Sequence, residues 1–303
     1  PPRPPPPPPH SLLGGLRMLF ICYRHLFFQM LAEVVLRISG TIQKKNTVRS
    51  YEAIISKFCK DFGHRPFSEI TTDEVLAFLN HLTAGRKPQT KKTRYSHLSS
   101  FFNFIKSNLD ESFENPCAVP MMKKLFKAPK ITHWDIIEKE TIDEVIFRTM
   151  QPRNRLMLEL MARGGMRIGE VLKLTMNDIH DQKLTLRDPK SGREYEYVFI
   201  PVKVAERLRE YAKSVCKNPD ERIFPISYEA ARIMVIKAGQ TVGIHLRPHD
   251  LRRHSATFAS RSGVPIEIVS KVILRHSNLS TTQRYLGKIT DTEASKWIEN
   301  LYS

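Results

Sequence analysis

The stretch LRHSNLSTTQRYLG sets His276 nine residues ahead of Tyr285. A phenol becomes a nucleophile when it gives up its proton, and imidazole is the side chain best suited to exchange protons near neutral pH. Upstream, in PHDLRRHSATFAS, His249 and Arg252 are three residues apart and share one helix face, whereas Arg253 is expected to point elsewhere. Side by side, a histidine and an arginine donate several hydrogen bonds to one anion. In ELMARGGMRIGEVLKL, Arg167 follows the pair Gly164 and Gly165, with Glu170 one helical turn on. Glycines let a backbone and an anion approach closely at such a place. A plain loop with a surface ion pair between Arg167 and Glu170 would read the same. Lys190 stands in the turn DPKSG. These types suit anion binding beside a nucleophilic tyrosine, although the chain has nine tyrosines and each fragment alone also has an ordinary structural reading. His245, His249 and His254 are not expected to hold a metal: Pro248 interrupts the first two, and no carboxylate or cysteine stands at ligand spacing.

Charge supports an anionic partner. Across 303 residues, 48 Lys plus Arg face 31 Asp plus Glu, a formal net charge of +17 that favours a polyanion, nucleic acid ahead of an anionic membrane surface. The length predicts two domains, each with its own core. Cys22, Cys59, Cys117 and Cys216 show no Cys-x-x-Cys spacing, which fits a reducing compartment and predicts neither zinc nor a disulfide framework. The N-terminal PPRPPPPPPH reads as polyproline II or disorder. Residues 12 to 38 are apolar but interrupted by Arg17, Arg24, His25, Glu33 and Arg37, so a membrane anchor is not expected. Residues 1–40 are read as an extension, either a cytosolic amphipathic helix or sequence upstream of the true start.

The elements that must position these groups follow from periodicity. Asn46 reads as the N-cap of a helix from Thr47, with Val48, Tyr51, Ile55, Phe58 and Phe62 on one face. Thr71 and Glu74 form a capping-box pattern ahead of Val75, Phe78, Leu79 and Leu82. A third helix is predicted from Pro88 to Ser107, and Arg86, Lys87, Lys91, Lys92 and Arg94 at its start are a candidate phosphate-contacting face. Residues 41–115 thus form a helical domain. Residues 116–135, where Pro116, Pro120 and Pro129 alternate with Lys123, Lys124, Lys127 and Lys130, read as a basic linker. Residues 136–303 form a second, mostly helical domain with one hairpin, Lys183 to Arg187 and Glu194 to Ile200, that carries Lys190 at its tip. Helices are predicted at 202–216, 228–239 and from Pro248 to about Gly263.

In this order, Arg167, Lys190, His249 with Arg252, His276 and Tyr285 resemble the active-site set of the tyrosine recombinases, the phage-integrase and Xer-like family. The resemblance covers about residues 42 to 303. His249 to Arg252 match the family's His-x-Leu-Arg, Leu274 to Tyr285 its Leu-x-His and Thr-Thr-x-x-Tyr, Arg167 to Glu170 its Arg-Ile-x-Glu, and Lys190 its hairpin lysine. Two positions depart: Arg253 stands where many members have histidine, and Arg275 replaces the usual glycine before His276.

The resemblance implies a mainly α fold, a small SAM-like helical bundle that binds core DNA followed by a mostly helical catalytic domain with a small antiparallel sheet. It implies that Tyr285 attacks a DNA phosphate to give a 3'-phosphotyrosyl enzyme and a free 5'-hydroxyl, without metal or nucleotide cofactor. In that reading Arg167 and Arg252 clamp the phosphate, His249 and His276 add hydrogen bonds, and one of them assists removal of the tyrosine proton. Lys190 protonates the leaving oxygen, and Glu170 orients Arg167. A homotetramer on two double-stranded DNA sites is also implied, with accessory DNA-bending or directionality proteins, in the cytoplasm at a nucleoid, encoded by a prokaryote or a mobile element. The C-terminal segment, with a Thr290 and Glu293 capping box and Ala294, Trp297, Ile298 and Leu301 on one face, would dock on a neighbouring protomer or on its own domain. Two competing functions are a type IB topoisomerase-like relaxing enzyme and a DNA-binding protein with a decayed site; the second predicts loss of one of the six residues, and all six are present.

Overall fold

The computed structural model describes residues 45–63, 65–108, 110–129, 136–189, 194–283, 285–286, 294–295 and 298–300. The chain divides into two units, residues 1–130 and 131–303.

Among the described residues, the α-helices of the first unit are α1 (Lys45–Phe62), α2 (Thr72–Leu82), α3 (Pro88–Asn108) and α4 (Pro120–Leu125). α1 begins at Lys45, so Asn46 lies in its first turn rather than ahead of it. The predicted capping box of α2 is formed: Thr71 accepts from the Glu74 amide at 3.3 Å, and Glu74 accepts from the Thr71 amide at 2.9 Å. The apolar faces of α1, α2 and α3 meet around Phe58, which packs edge-on against Phe78 and Phe102 with ring centres 5.3 and 5.4 Å apart.

The first half of the expected linker belongs to this unit. Cys117, Met122 and Phe126 are buried in its core. Tyr95 donates to the Cys117 carbonyl at 2.8 Å, and its ring stacks on Phe126 at 5.2 Å. Pro120 opens α4 at its first turn, where a missing amide hydrogen costs nothing. With Met122 its one buried side chain and Phe126 just past its end, α4 is too short to show periodicity. Lys123 and Lys124 point to solvent.

The second unit contains α5 (Lys139–Arg148), α6 (Pro152–Ala162), α7 (Ile168–Val171), α8 (Val202–Val215), α9 (Tyr228–Gln240), α10 (Pro248–Arg261), α11 (Ile266–Ile268), a π-helical turn (Val269–Ile273) and α12 (Leu279–Gln283). α6 is central, buried on every side from Leu156 to Ala162, and packs against α10, α8, α5 and α7. β1 (Ile179–His180), β2 (Lys183–Arg187) and β3 (Tyr195–Phe199) form an antiparallel sheet in that order. The hairpin is as read from the sequence, in the register Lys183 with Phe199 and Arg187 with Tyr195. β1 has only two residues, which left no alternation to find. The mainly α class with one small sheet agrees with the expected fold.

The extension at 1–40, the linker residues 130–135, the hairpin tip with Lys190, and Thr290, Glu293 and Trp297 lie outside the described residues. Ala294 and Ile298 of the C-terminal stripe are exposed. Among the described residues no helix is long and apolar enough to cross a membrane. If the segment around α4 is part of the first core, Met122→Ala should lower stability in urea denaturation by about 2–5 kcal/mol; an unchanged midpoint would mean that it is a passive connection.

Candidate active site

α10 starts sharply. Arg247 precedes it in extended conformation, Pro248 occupies its first turn, and Asp250 accepts from the Arg247 amide at 3.0 Å. Asp250 also pairs with Arg253 at 3.1 Å. The Arg253 guanidinium lies 5.9 Å from the centre of the Tyr285 ring. Arg253 therefore joins the site, contrary to its expected direction. The signal was in the spacing, because Arg253 is four residues from His249, and a four-residue step shares a helix face as well as a three-residue step does.

Tyr285 is held from both sides. Its hydroxyl is 2.6 Å from Nε2 of His249, and the two rings meet edge to face at 5.3 Å. The His276 ring lies at 5.0 Å, also edge-on. Thr257 of α10 donates to the Tyr285 carbonyl at 3.0 Å, and the Tyr285 amide donates to the Thr282 carbonyl at 2.7 Å. The Thr282 hydroxyl is 3.0 Å from His276 Nδ1 and donates to Ser270 at 2.8 Å. The second threonine of the TTQRY motif thus fixes both the tyrosine backbone and the histidine ring, a task the sequence did not show.

Arg252 has no exposed surface. Its guanidinium donates to the carbonyls of Gly165 and Leu274, joining the turn after α6 to the segment before His276. Gly165 has φ +59, and a Cβ there would come within 2.9 Å of the Ile273 side chain and 3.0 Å of its carbonyl. The second glycine of the pair is required by both conformation and space. Arg167 stands in extended conformation before α7, and Glu170 accepts from its amide at 2.8 Å and from its guanidinium at 2.5 Å. Glu170 also accepts from Arg275 at 2.8 Å. Arg275, with φ +50, is in the left-handed region, which costs a residue with a side chain about 1–2 kcal/mol.

The charges shape the ionisation of the site. Partial burial, together with the Arg253 and Arg252 charges, lowers the pKa of His249 to about 4, although the residue as a whole remains exposed. Burial and then Arg252, Arg167 and Arg275 lower His276 to about 4. Both imidazoles are therefore neutral, and His249 can accept the phenol proton. Burial pushes Glu170 up, but Arg275 and Arg167 outweigh it and hold the carboxyl below its ordinary value. Burial, then Arg275 and Arg167, lower Arg252 to about 9, which leaves it charged at neutral pH.

Of the residues expected from the sequence, Arg167, Glu170, His249, Arg252, His276 and Tyr285 are brought together. Lys190 lies outside the described residues. At the turn end of its hairpin, Arg187 donates to Asp178 at 2.8 Å. In the first unit, Arg86, Lys87, Lys92, Lys123 and Lys124 are exposed and Lys91 is half-buried. Arg94 donates to the Ser50 carbonyl at 3.1 Å and so ties α3 to α1. Among the described residues no group of three His, Cys, Asp or Glu is placed to hold a metal ion.

The profile of the phage integrase family matches residues 137–290, and that of the phage integrase N-terminal SAM-like domain matches residues 30–109. The chain belongs to the phage integrase family, the tyrosine recombinases. Its relatives include tyrosine recombinase XerA of Pyrococcus horikoshii, 29% identical over 271 residues that span 85% of this chain and 88% of the relative. Tyrosine recombinase XerD of Halalkalibacterium halodurans is 26% identical over 266 residues, 79% of this chain and 86% of its own length. In fold, the chain resembles a lambda integrase dimer bound to a COC' core site, with TM-score 0.68 and 18% identity over 87% of this chain and 99% of that one. The Tn1549 transposon integrase in complex with transposon right end DNA has TM-score 0.66 and 14% identity, covering 91% and 99%. These two structures share their fold with this chain.

Because the fold depresses the imidazole pKa values, the unfolded chain binds more protons than the folded chain once pH falls below the ordinary 6.5. The stability contributed by neutral His249 and His276 is complete above that pH and is lost on the way down to about 4. Denaturation midpoints should fall across this window, and less steeply for His249→Gln combined with His276→Gln. An identical slope in the double variant would contradict the assignment.

Proposed function

We propose that this recombinase is a site-specific recombinase or integrase that cuts and rejoins double-stranded DNA through a 3'-phosphotyrosyl intermediate on Tyr285. The observation that carries the reading is the Tyr285 hydroxyl 2.6 Å from a neutral His249 Nε2, beside the buried Arg252. A free phenol ionises only near pH 10 or so, which makes a base and positive surroundings necessary. His249 takes the proton as the phenolate oxygen bonds to phosphorus. The bond from phosphorus to the 5'-oxygen breaks, and Lys190 donates a proton to that leaving oxygen. Arg167 and Arg252 bind the non-bridging oxygens, where charge develops, and guanidinium suits this because it is planar, charged and bidentate. The phosphate's own charge raises the pKa of His276, which then donates a hydrogen bond from the ring that Thr282 orients. Attack by a 5'-hydroxyl of a second strand reverses these steps, so the ester conserves the bond and no nucleotide is consumed.

The exposed lysines and arginines of the first unit supply phosphate contacts, with Arg86, Lys87, Lys91, Lys92, Lys123 and Lys124 as the candidates. Exchange between two duplexes calls for four copies, one at each cleaved strand, with DNA-bending or directionality proteins as accessory partners. Archaeal and bacterial relatives support a role on cytoplasmic, nucleoid or mobile-element DNA.

Tyr285→Phe should keep duplex affinity but form no covalent adduct on nicked DNA, read by denaturing gel; an adduct that survives this change would place the nucleophile elsewhere. Arg252→Ala should slow adduct formation by about a hundredfold or more with a much smaller loss of binding. Equal losses would make Arg252 an ordinary phosphate contact.

A further inference from the structure

Two side chains of the catalytic unit go against their local structure, and they meet. Glu196 lies on the inward face of β3 with buried Val198, whereas Tyr195, Tyr197 and Phe199 face outward. Its side chain is 4% exposed. Arg275 occupies a left-handed backbone position that favours glycine, and its side chain is 3% exposed. Arg275 Nε is 3.4 Å from Glu196, its terminal nitrogens reach Glu170 at 2.8 Å and the Ile273 carbonyl at 2.8 Å, and one of them lies 3.4 Å from the Gly165 carbonyl. A strand interior favours an apolar residue over Glu196, and the turn favours glycine over Arg275. Each residue supplies the reason for the other, because a buried charge is tolerated only when paired.

We propose that Arg275 is a positioning residue that sets the charge of the phosphate pocket, holding Glu170 and Glu196 so that Arg167 and Arg252 keep positive charge for the scissile phosphate. The proposal rests on the reading of this site as a DNA-cleaving one. The groups joined by these contacts are three guanidiniums, of Arg167, Arg252 and Arg275, and two carboxylates, of Glu170 and Glu196. With both imidazoles neutral the cluster carries one net positive charge, and without Arg275 it carries none. Glu170 is shared: one oxygen faces the Arg167 guanidinium, and the other serves the Arg167 amide and Arg275. Removing Arg275 turns the whole carboxylate charge onto Arg167. The Gly165 carbonyl is also shared, by Arg252 and Arg275. When Arg252 turns a donor to phosphate, Arg275 keeps that buried carbonyl satisfied.

The full-length protein tests this in four forms: wild type, Arg275→Gly, Arg275→Lys, and Arg275→Gly combined with Glu196→Gln. Three quantities are measured, the single-turnover rate of adduct formation on nicked duplex at saturating protein, the duplex Kd, and the rise in thermal midpoint produced by inorganic phosphate, with Arg252→Ala as the reference for a disabled pocket. Arg275→Gly should slow the adduct by about tenfold or more, with duplex Kd changed less than about threefold, and should lose the pocket's share of the phosphate response. Arg275→Lys should retain part of both. Glu196→Gln in the glycine background removes one negative charge, restores the net balance, and should recover most of both. A glycine variant that matches wild type in rate and phosphate response overturns the proposal, and so does a double variant no better than the single one. Should Arg275→Gly not fold, the lysine and double variants decide by the same measurements. If the wild type forms no adduct, the DNA-cleaving reading fails by itself, while the phosphate response still decides the role of Arg275.

Discussion

Moving a guanidinium out of water costs several kcal/mol unless its donors are met, and Arg252 has no exposed surface. Its housing organises the catalytic unit. Its two terminal nitrogens donate to two backbone carbonyls, those of Gly165 and Leu274, and so the chain must bring two remote turns to one side of α10. Gly165 can supply its carbonyl only with φ +59 and with no side chain in the way of Ile273. Leu274 supplies its carbonyl immediately before Arg275 and His276, so the same contact places the second histidine. Arg167, two residues beyond the glycine pair, is then carried to the same place and held there by Glu170.

A pocket rich in guanidinium groups has a second effect, on the histidines. Burial first, and then the positive charges around it, drive an imidazole here neutral, and a neutral ring is the form that can accept a proton from a phenol. Thr282 and Ser270 orient the His276 ring, and Thr257 and Thr282 hold the backbone of Tyr285, so the reacting hydroxyl is aimed by groups that carry no charge. Burial and charge set the protonation states in this site, and uncharged hydrogen bonds aim the tyrosine and the His276 ring.

The first unit is stabilised differently. Its core is aromatic and apolar, built around Phe58, and its lysines and arginines remain largely at the surface. Exposed cations interact with a polyanion at little desolvation cost and lose strength with salt, which suits non-specific holding. The buried cations of the second unit are few and fixed, which suits chemistry at one phosphate.

Much of this was legible in the sequence. The capping box at Thr71, the helices from Pro88 and Pro248 and the hairpin from Lys183 depend on local rules of periodicity, capping and turn chemistry, and each formed as read. Six of the site residues were legible because His-x-Leu-Arg, Arg-Ile-x-Glu, Leu-x-His and Thr-Thr-x-x-Tyr preserve side-chain types at fixed spacing. The helix at Pro120 was not, because one buried side chain sets no period, and Cys117, Met122 and Phe126 acquire their meaning only from the core that receives them. Arg253 was legible in principle through its four-residue step from His249. Arg275 and Glu196 were not: 79 residues separate them in the chain, and each looks like a misfit until the fold pairs them. The sequence by itself determined which groups could attack, bind and protonate, since those are properties of side-chain type. Only the tertiary structure decided which charges lie buried together, because the pairing of buried charges depends on distances that no local pattern encodes.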